Sequence, residues 1–197
     1  EVVFARRLIA QRCLYGVDKN PVAVDLAKVS VWLVTLAKDH AFTFMDHALR
    51  HGDSLVGLSR KQIEAFHWDP DARPFAAGFE AMQVREHLTE VSELRQLIRE
   101  SDEIISDWEL RDLWDKAQSE LSQVRLFGDL VMAAFFEGEN SKEREARRGE
   151  YAGAVENRQA EQYRGKLEDW RRVDRPLVPF HWEIEFPEVF ERGNPGF

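Results

Sequence analysis

Leu14-Tyr15-Gly16-Val17-Asp18-Lys19-Asn20-Pro21-Val22-Ala23-Val24-Asp25-Leu26-Ala27 reads as a short apolar strand that ends in a carboxylate and turns at once into a helix. Leu14, Tyr15 and Val17 suit a buried strand and Asp18 marks its end. Asn20 followed by Pro21 supplies an N-cap and a first helical residue whose φ is already set. Val22, Val24, Leu26, Val29, Val31, Trp32, Leu33, Val34 and Leu36 then cover nearly the whole helix circumference, which predicts a helix packed on a sheet and covered on its outer side as well. His40 to Met45 reads as a connection, and Ala48 to Leu55 as a second short strand ending at Gly52-Asp53. Two strands joined by one helix make a parallel βαβ unit. The expected class is therefore α/β, with Asp18 and Asp53 on the same sheet edge, outside the carboxyl ends of the strands where such sheets bind ligands.

Outward from this unit the text changes character. Upstream, Val3 to Gln11 has helical spacing, with Val3, Phe4, Leu8 and Ile9 expected on a core-facing side and Cys13 as a small buried hydrophobe leading into the strand. Downstream, Trp68 to Pro74 is a breaker-rich loop that opens a charged, helical region. Leu88, Val91, Leu94 and Ile98 make one apolar stripe. Leu110, Leu113, Trp114, Ala117, Leu121 and Val124 make another, and a break near Ser101-Asp102 predicts an antiparallel helical hairpin. Phe127 to Phe136 extends or follows it. Lys142 to Trp170 reads as a helix weakened by Gly149, Gly153 and Gly165; its basic patch, Arg144, Arg147 and Arg148, reads as a solvated face beside Glu143 and Glu145. Pro179 to Phe190 is aromatic and compact, expected to pack back on the first segment, with Pro187 limiting any helix through it. The division that follows is 1–67 for a partial α/β core, 68–176 for a helical insertion and 177–197 for a return segment.

Composition narrows the function classes. The 197 residues are 44% hydrophobic and 32% charged with a formal net charge of -9, a balance that excludes neither an enzyme nor a binding module but argues against a nucleic-acid surface formed by this piece taken whole. The longest apolar run, Val29 to Ala37, is interrupted by Ser30 and Thr35 and is too short to span a bilayer, so no membrane association is expected. No secretory signal precedes it, and the single Cys13 allows neither an intramolecular disulfide nor a cysteine-based metal site, which fits a reducing cytoplasm. Glu1 to Ala5 reads as the interior of a helix and Arg192 to Phe197 as a turn, which leads to the expectation of an excised piece.

A carboxylate at the end of a nucleotide-binding strand can accept from both hydroxyls of a ribose, and Asp18 fits that role. The alternative is that Asp18 only helps Asn20 cap the next helix. Asp53 is placed to accept from the exocyclic amine of an adenine, or else to cap the turn after it. Nicotinamide dehydrogenases and S-adenosylmethionine methyltransferases both hold adenosine in this way.

Gly16-Val17-Asp18-Lys19-Asn20-Pro21 with Ala23, Leu26-Ala27 and Val31-Trp32-Leu33, then His51-Gly52-Asp53-Ser54-Leu55, and finally Phe180-His181-Trp182-Glu183-Ile184-Glu185-Phe186-Pro187-Glu188-Val189-Phe190 resemble the Eco57I-like N6-adenine DNA methyltransferases of restriction-modification and phage-defence systems. The resemblance implies a Rossmann-like methyltransferase sheet with a helical insertion, S-adenosylmethionine as cofactor, and double-stranded DNA as the partner of the full-length enzyme, together with its remaining methyltransferase and target-recognition segments. It also implies that Asp18 holds the cofactor ribose, that the Lys19 backbone lies beside the adenine, that Asp53 accepts from the adenine amine, and that Ser54 offers its backbone N–H. The family's glycine loop and its catalytic Asn-Pro-Pro-aromatic tetrapeptide are absent from the 197 residues. Asn194-Pro195-Gly196-Phe197 departs from the tetrapeptide at Gly196, so Asn194 reads as a turn residue. No catalytic residue and no metal ligand is expected in this chain. The competing readings are a helical interaction or scaffold module and a nucleotide-dependent Rossmann enzyme of another class.

Overall fold

The computed structural model describes residues 2–35, 45–72, 79–101, 105–173 and 176–191. The expected connection from His40, the hairpin break at Asp102 and the turn at Asn194 lie outside them. In chain order the elements are α1 (Val2–Cys13), β1 (Gly16–Asp18), α2 (Pro21–Thr35), β2 (Leu49–His51), α3 (Arg60–Glu64), α4 (Phe79–Glu100), α5 (Asp107–Glu137), α6 (Ser141–Glu156), a 3-10 turn (Ala160–Tyr163), α7 (Arg164–Trp170), α8 (Trp182–Glu185) and α9 (Pro187–Phe190). The fold is an α/β mixture, mostly helical, with a small parallel sheet.

The decisive stretch forms as its residue types require. The Asn20 side chain accepts from the Val22 N–H at 3.0 Å, and Pro21 opens α2, whose missing N–H costs nothing at a helix start. β1 and β2 pair in parallel, Gly16 opposite Leu49, Val17 opposite Arg50 and Asp18 opposite His51. β1 begins two residues later than expected, because α1 runs to Cys13 and the chain needs Leu14 and Tyr15 to leave the helix.

Three expectations about this layer are corrected. In α1 the buried positions are Arg7 and Ala10, while Val2, Val3, Phe4 and Ile9 are exposed. The small Ala10 lets α1 lie close against Met45 and Ala48, and that approach rotates the larger side chains outward. Cys13 is exposed, not a buried hydrophobe. On α2 the sheet-facing side is packed through Val24 and Val31, but Val22, Leu26, Val29, Leu33 and Val34 are exposed, so the outer side is not covered among the described residues.

The helical hairpin forms with the expected stripes facing each other. Ile98 near the end of α4 packs on Leu110 and Trp114 near the start of α5, whereas Val84, Leu88 and Val91 share a cluster with Leu121 and Val124, an antiparallel pairing. Leu94 is only half-buried, and its neighbour Arg95 is the fully buried side chain. α5 continues through Phe127 to Glu137. The single helix expected over 142–170 is instead α6, a 3-10 turn and α7. The Asn157 amide donates to the Gly153 carbonyl at 2.7 Å and caps α6, and Arg158 adopts φ 57°, a left-handed conformation that ends a helix. The basic patch on α6 is spoken for: Arg148 pairs with Glu145, Arg147 with Glu150, and Arg144 lies 4.1 Å from the Phe135 ring centroid.

The largest core cluster joins Leu58, Ile63 and Phe66 to α4, α5, α6 and α7, and includes Ile184 of α8. The return segment is thus part of the core. As expected it also packs on the first strand, Phe180, Phe186 and Val189 forming a cluster with Tyr15 and Val17, and Phe186 interrupts the helical run just before Pro187.

Candidate adenosine-binding edge and adjoining cleft

Asp18, Lys19, Asp53 and Ser54 come together at the carboxyl end of β1 and β2. Asp18 sits at the last β1 position, and its Oδ1 accepts from the Asn20 N–H at 2.7 Å, so it does shape the turn that caps α2. Its other oxygen carries no hydrogen bond among the described residues, and the residue is exposed. Asp53 accepts from Leu55 N–H on Oδ1 at 3.1 Å and from Lys19 Nζ on Oδ2 at 3.0 Å. The Lys19 hydrogen bond, working against partial burial, holds the Asp53 carboxyl below the ordinary carboxylate range. The Lys19 carbonyl accepts from His51 Nε2 at 3.1 Å, which ties the turn after β1 to the end of β2. Ser54 is exposed; its carbonyl accepts from the Trp182 indole at 3.0 Å, and its N–H has no acceptor among the described residues.

The return segment completes this edge. Asp53 N–H donates to Val178 at 2.7 Å and Phe180 N–H to Val56 at 2.7 Å, and Asp53 and Pro179 form a parallel bridge. The approach is so close that a Cβ on Gly57 would stand 2.1 Å from the Phe180 carbonyl oxygen, and one on Gly52 would stand 2.8 Å from its ring. Glycine is therefore required at both turns.

Behind the edge a buried charge cluster joins β2, α5 and α8. Glu185 is fully enclosed; Arg125 grips it through Nε and, at 2.8 Å, through Nη2, and Arg50 Nη2 lies 3.2 Å from the same carboxylate. Burial pushes the Glu185 carboxyl up, but the charges of Arg125 and Arg50 outweigh it and hold it at about 2. Burial lowers Arg50 to about 10 despite Glu185. Gln118 Oε1 accepts from both guanidiniums, at 3.1 Å from Arg50 and 2.8 Å from Arg125. A second pair, Arg95 with Glu188, is bidentate at 2.8 and 2.7 Å, and Arg95 also donates to the His47 carbonyl at 2.8 Å. His181 is locked beside them: Nδ1 accepts from the Leu58 N–H at 3.0 Å, which leaves Nε2 to donate to Asp129. Gly128 makes room for that ring, since a Cβ there would meet Nε2 at 2.6 Å.

A cleft of about 420 Å³ lies between α2, β2 and α5 and is lined by Lys28, Arg50, His51, Gln118, Arg125 and Glu185 among others. None of the four sequence-predicted residues lines it. Arg50, Gln118 and Arg125 were missed because each is an isolated charged or polar residue in sequence, 68 and 75 positions apart across two elements; only the carboxylates of the 182–191 text hinted at buried cationic partners. Among the described residues no group of three His, Cys, Asp or Glu is placed to hold a metal ion, and no helix is long and apolar enough to cross a membrane.

The fold and the edge define a class, a parallel βαβ unit with carboxylates at the ends of adjacent strands. No protein-family model, curated protein or solved structure matches the chain.

Proposed function

We propose that this chain is the adenosine-binding corner of an S-adenosylmethionine-dependent DNA adenine-N6 methyltransferase of the restriction-modification or phage-defence type, with a Rossmann-like sheet and a large helical insertion. The observation that carries the reading is the pairing of β1 with β2, which brings Asp18 and Asp53 to one edge with an open acceptor on Asp18 and an open donor at Ser54 N–H. These groups fit an adenosine: Asp18 accepts from ribose hydroxyls, Asp53 from the adenine amine, and Ser54 N–H donates to a ring nitrogen. Lys19 shares or leaves Asp53 when the amine arrives. Half of its side chain is exposed, and an ion pair of that kind is worth only about 0–1 kcal/mol. The cofactor supplies the methyl group, and the part of the reaction assigned to this chain is to bind and orient its adenosine end. DNA is the substrate of the enzyme that also contains the glycine loop and the Asn-Pro-Pro-aromatic tetrapeptide.

Titrating the isotope-labelled chain with adenosine is expected to shift the backbone amide signals of Asp18, Lys19 and Ser54. Asp18→Ala is expected to abolish those shifts while the helical circular dichroism stays unchanged. The 197-residue chain itself is expected to transfer no methyl group to adenine-containing duplex DNA and to show no micromolar S-adenosylmethionine affinity by calorimetry. A wild-type chain whose Asp18 and Ser54 signals ignore millimolar adenosine overturns the reading. It would favour the second one, a helical interaction module, which rests on the location of the largest core cluster in α4 to α7.

A further inference from the structure

The cleft between α2, β2 and α5 has more donors than acceptors. Arg50 and Arg125 share one carboxylate, Glu185, and one amide oxygen, Gln118 Oε1. Two guanidiniums on one carboxylate leave one positive charge uncompensated, in a place where the Arg50 and Arg125 side chains are only 15% and 21% exposed. Among the described residues Arg50 Nη1 and the Gln118 amide nitrogen, both shielded from solvent, have no hydrogen-bond partner. A buried donor left without an acceptor is costly, and a ligand that accepts from it removes that cost.

The other charges on the walls do not remove this surplus. Lys28 is paired with Asp46 at 2.6 Å and Arg171 with Asp129 at 3.0 Å. Arg95, which lies near Trp114 as Arg50 does, is matched by Glu188. The remaining carboxylate, Asp25, stands exposed on the α2 rim. There water and salt screen it, whereas the half-enclosed guanidiniums act through a lower dielectric. His51, on the same rim, adds a ring that donates to the Lys19 carbonyl.

We infer that this cleft is a binding site for an oxyanion, the phosphate or carboxylate group of a small ligand, held by the Arg50–Arg125 pair. Arg is suited to the task because its planar fork presents parallel N–H groups to such an anion. The cleft volume of about 420 Å³ exceeds that of the anion alone and falls in the range of small-molecule sites. The site is separate from the adenosine edge, so it stands or falls independently of the methyltransferase reading.

The test uses the 197-residue chain titrated with sodium phosphate, sodium acetate and sodium chloride at constant ionic strength, following the Nε–Hε resonances of Arg50 and Arg125. Phosphate or acetate is expected to shift both signals saturably with a dissociation constant on the order of millimolar, and the stronger of the two identifies the group. Gln118→Glu puts a carboxylate between the two guanidiniums and cancels the surplus charge. It is expected to weaken the anion at least about tenfold and to raise Tm. Neither anion shifting the two signals beyond what chloride does, or an undiminished response in a folded Gln118→Glu chain, overturns the proposal.

Discussion

The two oxygens of Asp18 stand in different surroundings, which the sequence alone could not show. One oxygen holds the Asn20 N–H and shapes the start of α2, and the other stays open on an exposed edge, so the capping role and the proposed ribose role are compatible in a single carboxylate. Gly57 has no such freedom. Its backbone lies so close to the Phe180 carbonyl that an added methyl would overlap backbone atoms, not the end of a flexible side chain. Gly57→Ala is expected to destabilise the chain by about 1–3 kcal/mol, read as a lower urea midpoint with an unchanged m-value. Asp18 was legible because a carboxylate at the end of a strand is a local pattern. The need for Gly57 was not, because the atom that requires it is contributed by a segment more than a hundred residues later.

At the scale of elements, the 3.6-residue apolar spacing identified α4 and α5 and the faces they would turn to each other, since helix periodicity and core burial are the same signal. It could not show where helices end. α6 stops at Asn157 because that side chain and a left-handed Arg158 satisfy its last carbonyls, whereas Gly149, Gly153 and Gly165, weak helix formers by residue type, stand in open space within helices. The long α5 depends on its start: Ser106 accepts from Glu109 N–H while Glu109 reaches back to Ser106 N–H at 2.9 Å. Ser106→Ala removes half of this capping box and is expected to cost about 1 kcal/mol, measured as a fall in Tm. Periodicity also misassigned α1, where an amphipathic spacing was present but the small Ala10, not the large apolar residues, faces the neighbouring elements.

For the molecule as a whole, the return segment acts as a clamp made of glutamates. Glu183 accepts from Arg60 N–H at 2.9 Å, Glu185 holds Arg125 and Arg50, Glu188 holds Arg95, and Glu191 accepts from Arg60 and Ser92. The strand layer, α3, α4 and α5 are thereby tied to one short stretch. This predicts acid sensitivity in two stages. Burial keeps His47 neutral and lowers it from 6.5 to about 4, so the unfolded chain takes up that proton first, and stability present above pH 6.5 is lost as pH falls toward 4. Glu185 is held at about 2 against an ordinary 4.5, so its contribution is present above pH 4.5 and is lost between 4.5 and 2. Urea midpoints measured from pH 7.5 to 2.5 are expected to show both declines, and His47→Gln to remove the first while leaving the second.

The sequence by itself determined the local units: a capped strand-turn-helix at Asp18 to Pro21, a second strand, which ends at His51 just short of the expected Gly52-Asp53, two facing helical stripes, and an aromatic return. Each of these is encoded by neighbours within a few turns of chain. Only the tertiary structure decided which side of α1 is buried, where the 142–170 region breaks, and that Arg50, Gln118, Arg125 and Glu185 meet beside a cleft. The physical reason is separation. A charge surplus, or a glycine that makes room for a distant carbonyl, is a property of atoms brought together by folding, and no spacing along the chain records it.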